Sequence, residues 1–271
     1  MSRPSLDELR LVATDYDGTL LGAGREVSDR TRRALQLLAD SHVEFVVITG
    51  RPPRFCDNIA QQTAVDLSLI CANGAVGYDP ASGEVTQFAT INLDVAHALI
   101  EELALAHPNA GFCAEMGNSW IADEQWAEIT GRRIDTREGD VHIRDVRDHL
   151  DERLHKLLIT IPDRTPDEAL GDVHGVVGER VNAMHAGLPF IELMPPGVDK
   201  AFGLRLHCEA RGIDPSQVMT FGDMPNDIAM LDWAGWGVAV DNAHDRAKSA
   251  ANEVTASNLD HGVAQIIEQL F

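Results

Sequence analysis

The feature that most constrains this chain is a set of short apolar runs, each stopping on a chemically active residue. Leu9–Asp15 ends in a carboxylate, Val43–Thr49 in a hydroxyl before Gly50, and Leu67–Ala72 at Asn73-Gly74. Between them, Ser28–Asp40 carries Leu35 and Leu38 on one helical face with Ser28 placed to cap it, and Arg54–Gln62 can be helical. Buried strands alternating with helices predict a parallel α/β sheet with right-handed crossovers. Ligands of such sheets gather at the carboxyl ends of the strands. Asp15, Thr49 and Asn73 all fall there.

The texture changes from about Glu84. A hairpin over Val76–Phe88 turns at Asp79–Gly83, a helix follows over Asp94–His107, and short strands are expected at Gly111–Glu115, Trp120–Ala122, Leu157–Ile161 and Val181–His185. The α/β texture resumes at Phe190–Leu193, continues at Val218–Gly222 and Val238–Val240, and closes with a helix over Val263–Leu270. The expected organisation is a core over 1–84, an α+β insertion over 85–189, and the rest of the core over 190–271.

Composition sets limits on partners. Among 271 residues, 44% are hydrophobic, enough for a packed core, and the net charge of −21 argues against nucleic acid or an anionic membrane as partner. No apolar run is long enough to span a membrane, and the N-terminal stretch lacks the apolar segment of a secretory signal. Cys56, Cys71, Cys113 and Cys208 form no C-x-x-C and read as buried thiols of a reducing cytoplasm. A monomer and a dimer are both compatible with this composition. An acidic chain that handles phosphate must build a local positive site from a metal, helix N-termini or a few placed cations. Only Lys156, Lys200 and Lys248 are lysines, against nineteen arginines, a skew that reads as a compositional bias against lysine.

Four segments carry candidate chemistry. In Asp15-Tyr16-Asp17-Gly18-Thr19-Leu20, carboxylates two apart on extended chain point the same way. One can attack phosphorus and hold it as an aspartyl phosphate, while the other protonates the leaving oxygen and then takes a proton from water. Two anions beside a phosphate repel it, so such a pair needs a divalent cation. The same Asp-Gly also reads as an ordinary surface turn. Thr49-Gly50-Arg51 offers a hydroxyl, an amide and a guanidinium to phosphate oxygens. Lys200 follows Pro195-Pro196-Gly197 and a helix-capping Asp199; a lysine in a first helical turn opposes the helix dipole, and neighbouring aspartates with phosphate would compensate. In Phe221-Gly222-Asp223-Met224-Pro225-Asn226-Asp227, two hard oxygen ligands on a short loop suit Mg²⁺, and Asp227 also reads as a plain helix cap.

In this order and spacing, the four segments resemble the haloacid-dehalogenase superfamily of phosphohydrolases, and within it the Cof-type branch with its type IIB cap inserted between the second and third motifs. Ala72–Ala75, Pro195–Lys200 and the tail Gly237–Asn258 extend the resemblance over nearly the whole chain. It implies a Rossmann-like, doubly wound parallel-sheet core with an inserted α+β cap that chooses the substrate. It also implies Asp15 as nucleophile and magnesium ligand, and Asp17 as general acid/base with its carbonyl on the metal. Thr49, Gly50, Lys200 and Asn226 would bind phosphate, and Asp223 and Asp227 would complete the metal site. Arg51, Asn73 and Glu192 are candidates for substrate contact. Two departures from the family pattern are Tyr16, where an aliphatic residue is usual, and Met224-Pro225, in place of a small glycine-containing pair.

The expected activity is Mg²⁺-dependent hydrolysis of small phosphomonoesters, sugar phosphates foremost. A phosphomutase would use the same groups, and a catalytically silent metabolite-binding protein is a third reading. A receiver-type signalling domain also uses acidic residues, Thr and Lys, but the large insertion and the two paired acidic motifs argue against it. The insertion's histidines, His142, His149, His155, His174 and His185, lack ligand spacing and read as solvated or locally hydrogen bonded. Trp233 and Trp236 read as core. Glu115, Trp120 and Arg132-Arg133 could face the site, although a hydrated surface is the simpler reading for each.

Overall fold

The structure, a computed structural model, describes residues 3–131 and 141–271. Leu11–Thr14 lies in the middle of an eight-stranded sheet. Glu44–Ile48 and Ser68–Cys71 extend it on one side, and Val218–Gly222, Trp236–Ala239 and Glu253–Val254 on the other, all parallel. The antiparallel hairpin Val76–Asp79 and Glu84–Gln87 completes one edge. Strand order therefore reverses between Leu11–Thr14 and Val218–Gly222, where Thr14 pairs with Phe221. A crevice opens at such a switch point beyond the carboxyl ends of the strands.

Helices cover both faces, which explains why the strands read as unbroken apolar runs. On one face Ala34, Leu35 and Leu38 of the helix Asp29–Asp40 share a core with Val263, Ile266 and Ile267 of Gly262–Glu268. On the other face Leu11, Ala13, Val46 and Ile48 pack against Ala201 and Leu204 of the helix Lys200–Glu209 and Met230 of Ile228–Trp233. Ser28 caps its helix by accepting from the Thr31 amide at 3.1 Å. The helix expected over Arg54–Gln62 is shorter. Pro52 and Pro53 start a single turn at Pro53–Phe55, and only Ile59–Thr63 is helical, after the turn-prone pair Asp57-Asn58.

A second, six-stranded sheet runs in the order Asn182–Met184, Ile191–Met194, Leu154–Thr160, Gly111–Met116, Ser119–Ala122, Val141–Ile143. The helices Leu93–Ala106 and Pro166–Val177 bury one of its faces through residues such as Phe112, Ala114, Leu157, Ile159, Ile191 and Leu193. Alternation turns Glu115, Trp120, Lys156, Leu158 and Glu192 to the opposite face.

The hydrogen bonding moves both expected boundaries of the insertion. Glu84–Gln87 stays in the eight-stranded sheet, and the run Phe190–Leu193, expected as a core strand, forms the strand Ile191–Met194, which pairs with Leu154–Thr160 in the six-stranded one. The alternation Ile191-Glu192-Leu193 is the physical sign: a strand of the doubly covered sheet has no polar face for Glu192. No helix among the described residues is long and apolar enough to cross a membrane.

Candidate active site

The strand ends converge as the topology requires. Asp15 follows the first strand, and its amide donates to the Phe221 carbonyl at 2.9 Å, which brings it beside the loop Asp223–Asp227. Gly18 makes this approach feasible: its φ is +85°, and a Cβ there would lie 2.5 Å from Asp223 Oδ2. Thr19 Oγ1 then donates to Asp223 Oδ1 at 2.7 Å. One carboxylate oxygen from each of Asp15, Asp223 and Asp227 lies within 4.8 Å of the others, and all three side chains are buried.

Asp227 is not a plain helix cap. Its Oδ2 accepts from the Asp223 and Met224 amides at 2.9 and 2.8 Å, closing the loop on itself, while Oδ1 faces Lys200. Met224 is extended, as the following Pro225 requires. Asp199 caps the helix that begins at Lys200, accepting from the Phe202 amide at 2.8 Å. Lys200 Nζ then lies 2.5 Å from both Asp15 Oδ1 and Asp227 Oδ1. Burial opposes its charge, but the two aspartates outweigh burial and raise its pKa above the usual lysine value. Burial likewise lifts Asp15 well above the ordinary carboxylate range against the pull of Lys200. It pushes Asp223 up to about 7, with the Asp227 charge adding to the effect.

Asp15, Asp17, Thr49, Gly50, Arg51, Glu192, Asp223, Asn226 and Asp227 line one cavity of about 1240 Å³ between the two sheets. The Asp17 side chain is 40% exposed and held bidentately by Arg51 at 2.6 Å, with Arg25 at 3.1 Å. Tyr16 explains itself here: its buried ring lies under the Arg51 guanidinium at 4.8 Å, so it supports the arginine that holds Asp17. Lys200 and Asn73 stand behind the lining. Asn73 Oδ1 accepts from Asn226 at 3.0 Å, and its Nδ2 donates to Glu192 at 2.9 Å.

Lys156 is the residue that reading the sequence missed. It is buried, and its Nζ donates to the Gly50 carbonyl at 2.6 Å and to Glu192 at 2.7 Å, so the inserted sheet reaches into the Thr49-Gly50-Arg51 turn. Burial disfavours its charge; Glu192 and Glu115 outweigh this and raise its pKa. The scarcity of lysine was the available signal. Glu115 and Trp120 are buried in the cavity wall and not hydrated. Arg132-Arg133 and the His142 side chain lie outside the described residues. His155 and His185 are buried and locally hydrogen bonded, to the Arg153 carbonyl and to Asp167 respectively, whereas His174 is exposed. Trp233 and Trp236 are half-buried against the core. All four cysteines are buried, and Cys56 and Cys71 meet with sulfurs 3.6 Å apart.

The whole arrangement has relatives. The family model of haloacid dehalogenase-like hydrolases matches residues 12–267. A 5-amino-6-(5-phospho-D-ribitylamino)uracil phosphatase of Bacillus subtilis is 29% identical over 264 residues, covering 96% of this chain and 97% of the relative. A phosphoglycolate phosphatase of Methanoculleus marisnigri is 27% identical over 264 residues, covering 97% of each. A haloacid dehalogenase-like hydrolase structure from B. subtilis superposes with a TM-score of 0.83 at 25% identity, covering 97% of this chain and 100% of that one. This chain belongs to the haloacid dehalogenase-like hydrolases, as a phosphatase-type enzyme of that family.

Proposed function

We propose that the enzyme hydrolyses phosphate esters of small, sugar-like alcohols through an aspartyl phosphate on Asp15, with Mg²⁺ as cofactor. The observation that carries this reading is the buried cluster of Asp15, Asp223 and Asp227 beside Lys200 and the Thr49-Gly50 turn. Three carboxylates this close, two of them with raised pKa values, fit a small hard cation with oxygen ligands. Bound by Asp15, Asp223 and Asp227, Mg²⁺ supplies the charge neutralisation that lets a phosphate dianion approach them.

The chain's own groups perform the rest. An Asp15 oxygen forms a bond to phosphorus as the bond to the ester oxygen breaks in line, and Thr49, the Gly50 amide, Lys200 and Asn226 hold the transferring oxygens. Asp17, freed from Arg51 and having taken a proton from solvent, gives that proton to the departing alkoxide. As carboxylate it then takes a proton from the water that attacks the aspartyl phosphate, which frees phosphate and restores Asp15.

Turnover of p-nitrophenyl phosphate should require Mg²⁺ and fall roughly a thousandfold or more in Asp15→Asn, because the variant lacks the attacking group. Undiminished turnover in that variant would remove the nucleophile from the account.

A further inference from the structure

After the strand Trp236–Ala239 the chain returns over the active-site loops in one short turn at 241–244. There Asn242 Nδ2 donates to the Gly18 carbonyl at 2.8 Å, although 224 residues separate the two. Its Oδ1 accepts from the Asn258 amide at 2.9 Å, which fixes the side-chain amide, since only the oxygen can face an N–H. Asn258 Nδ2 in turn donates to the Leu21 carbonyl at 2.7 Å. Two residues beyond Asn242, the His244 amide donates to the Asp223 carbonyl at 2.8 Å. One turn therefore holds the loop after Asp15 by one arm and the loop of Asp223 by the other.

These arms act where the two loops meet. Gly18 lies against the Asp223 carboxylate, and Asn242 grips it by its carbonyl. Asp17 sits between two anchors, the Asp15 amide on the Phe221 carbonyl and the Gly18 carbonyl on Asn242. Its side chain is drawn away, onto Arg51 and Arg25. With the backbone fixed on both sides, the carboxylate can leave these arginines and reach one defined place beside Asp15. With the Gly18 carbonyl released, the chain follows the side chain toward the arginines. Asn242 does not line the cavity, so it acts through the loop and not on the substrate.

Resting on the phosphatase reading, we propose that Asn242, steadied by Asn258, is a positioning residue for Asp17. It holds the loop Tyr16–Leu20 so that the Asp17 carboxylate meets the leaving oxygen and then the attacking water. A shift of about 1 Å in a reacting group can slow a step by about a hundredfold, and one lost tether produces part of that.

The test follows p-nitrophenyl phosphate turnover by the full-length enzyme at saturating Mg²⁺. Nitrophenolate leaves without a proton, so a misplaced Asp17 spares formation of the aspartyl phosphate and slows its hydrolysis. Asn242→Ala should release a burst of nitrophenolate and then run with kcat and KM both lowered about tenfold, kcat/KM staying within about twofold. The burst amplitude counts folded sites, so partial misfolding lowers it without producing this pattern. Asn242→Asp keeps the acceptor for the Asn258 amide and lacks the donor to Gly18, and should behave like Asn242→Ala. Added to Asp17→Asn, Asn242→Ala should change the rate by less than about twofold, because the group it positions is already gone. Wild-type kcat in Asn242→Ala, a fall in kcat/KM as large as that in kcat, wild-type behaviour of Asn242→Asp, or a further tenfold loss on top of Asp17→Asn would each overturn the positioning role. Wild-type enzyme that leaves p-nitrophenyl phosphate intact would remove the phosphatase reading itself, and the positioning role with it.

Discussion

At the scale of single residues, this molecule places charge where burial opposes it and then compensates it locally. His155 is the exception that stays neutral. Burial lowers its pKa to about 4, and the neighbouring Lys156 works in the same direction while Glu115 resists. The unfolded chain takes up this proton near the ordinary histidine value, so His155 contributes stability above about pH 6.5 that is lost as pH falls through 4. The contribution is on the order of 3 kcal/mol. Denaturant melts of wild type and His155→Gln at pH 7.5 and pH 4.5 should show a smaller acid loss in the variant; equal losses would contradict the assignment. Nothing in the sequence marked His155, because burial is a property of the strand it sits on. Lys200 was legible through its motif and the rarity of lysine. Lys156 shares that rarity but sits in no phosphate-type motif, and its partners Gly50 and Glu192 are 106 and 36 residues away.

At the scale of elements, the site depends on turns that bring the chain unusually close to itself. Gly74, with φ of +98°, lies under the start of the helix at Lys200, and a Cβ there would be 2.1 Å from the Asp199 carbonyl oxygen. Backbone is the obstacle, so no side chain can swing aside. Gly74→Ala should cost about 1–3 kcal/mol or more in denaturant melts and lower kcat by displacing Lys200 from Asp15. Wild-type stability and kcat in that variant would show the contact to be soft. The core strands and the caps at Ser28 and Asp199 were legible because apolar runs and cap residues act locally. The run Phe190–Leu193 reads as a core strand because its apolar residues suit either sheet, and only the direction of Glu192 distinguishes them.

At the scale of the whole molecule, two sheets with separate cores are joined across the cavity by a continuous polar chain. It runs from Asn226 through Asn73 and Glu192 to Lys156, which reaches back to Gly50 and on to Glu115 and Arg54. Lys156→Met leaves Glu192 and Glu115 buried without a shared cation. It should destabilise the protein by about 3–5 kcal/mol and also impair turnover, although the substitution lies in the inserted sheet. A stable variant with intact kcat/KM would make the joint decorative. The sequence exposed the existence of an insertion through its change of texture, but this joint is built from contacts between distant segments and has no local signature.

The central claim is that Asp15 carries the phosphoryl group, and trapping that species tests it most directly. In Asp17→Asn, p-nitrophenyl phosphate can still phosphorylate the enzyme, since nitrophenolate departs without a proton, while the water step lacks its base. Acid-quenched Asp17→Asn with Mg²⁺ and this substrate should carry a hydroxylamine-labile phosphate on the peptide containing Asp15, as seen by mass spectrometry. A variant that turns over substrate with no acyl phosphate, or with phosphate on another residue, would contradict the account.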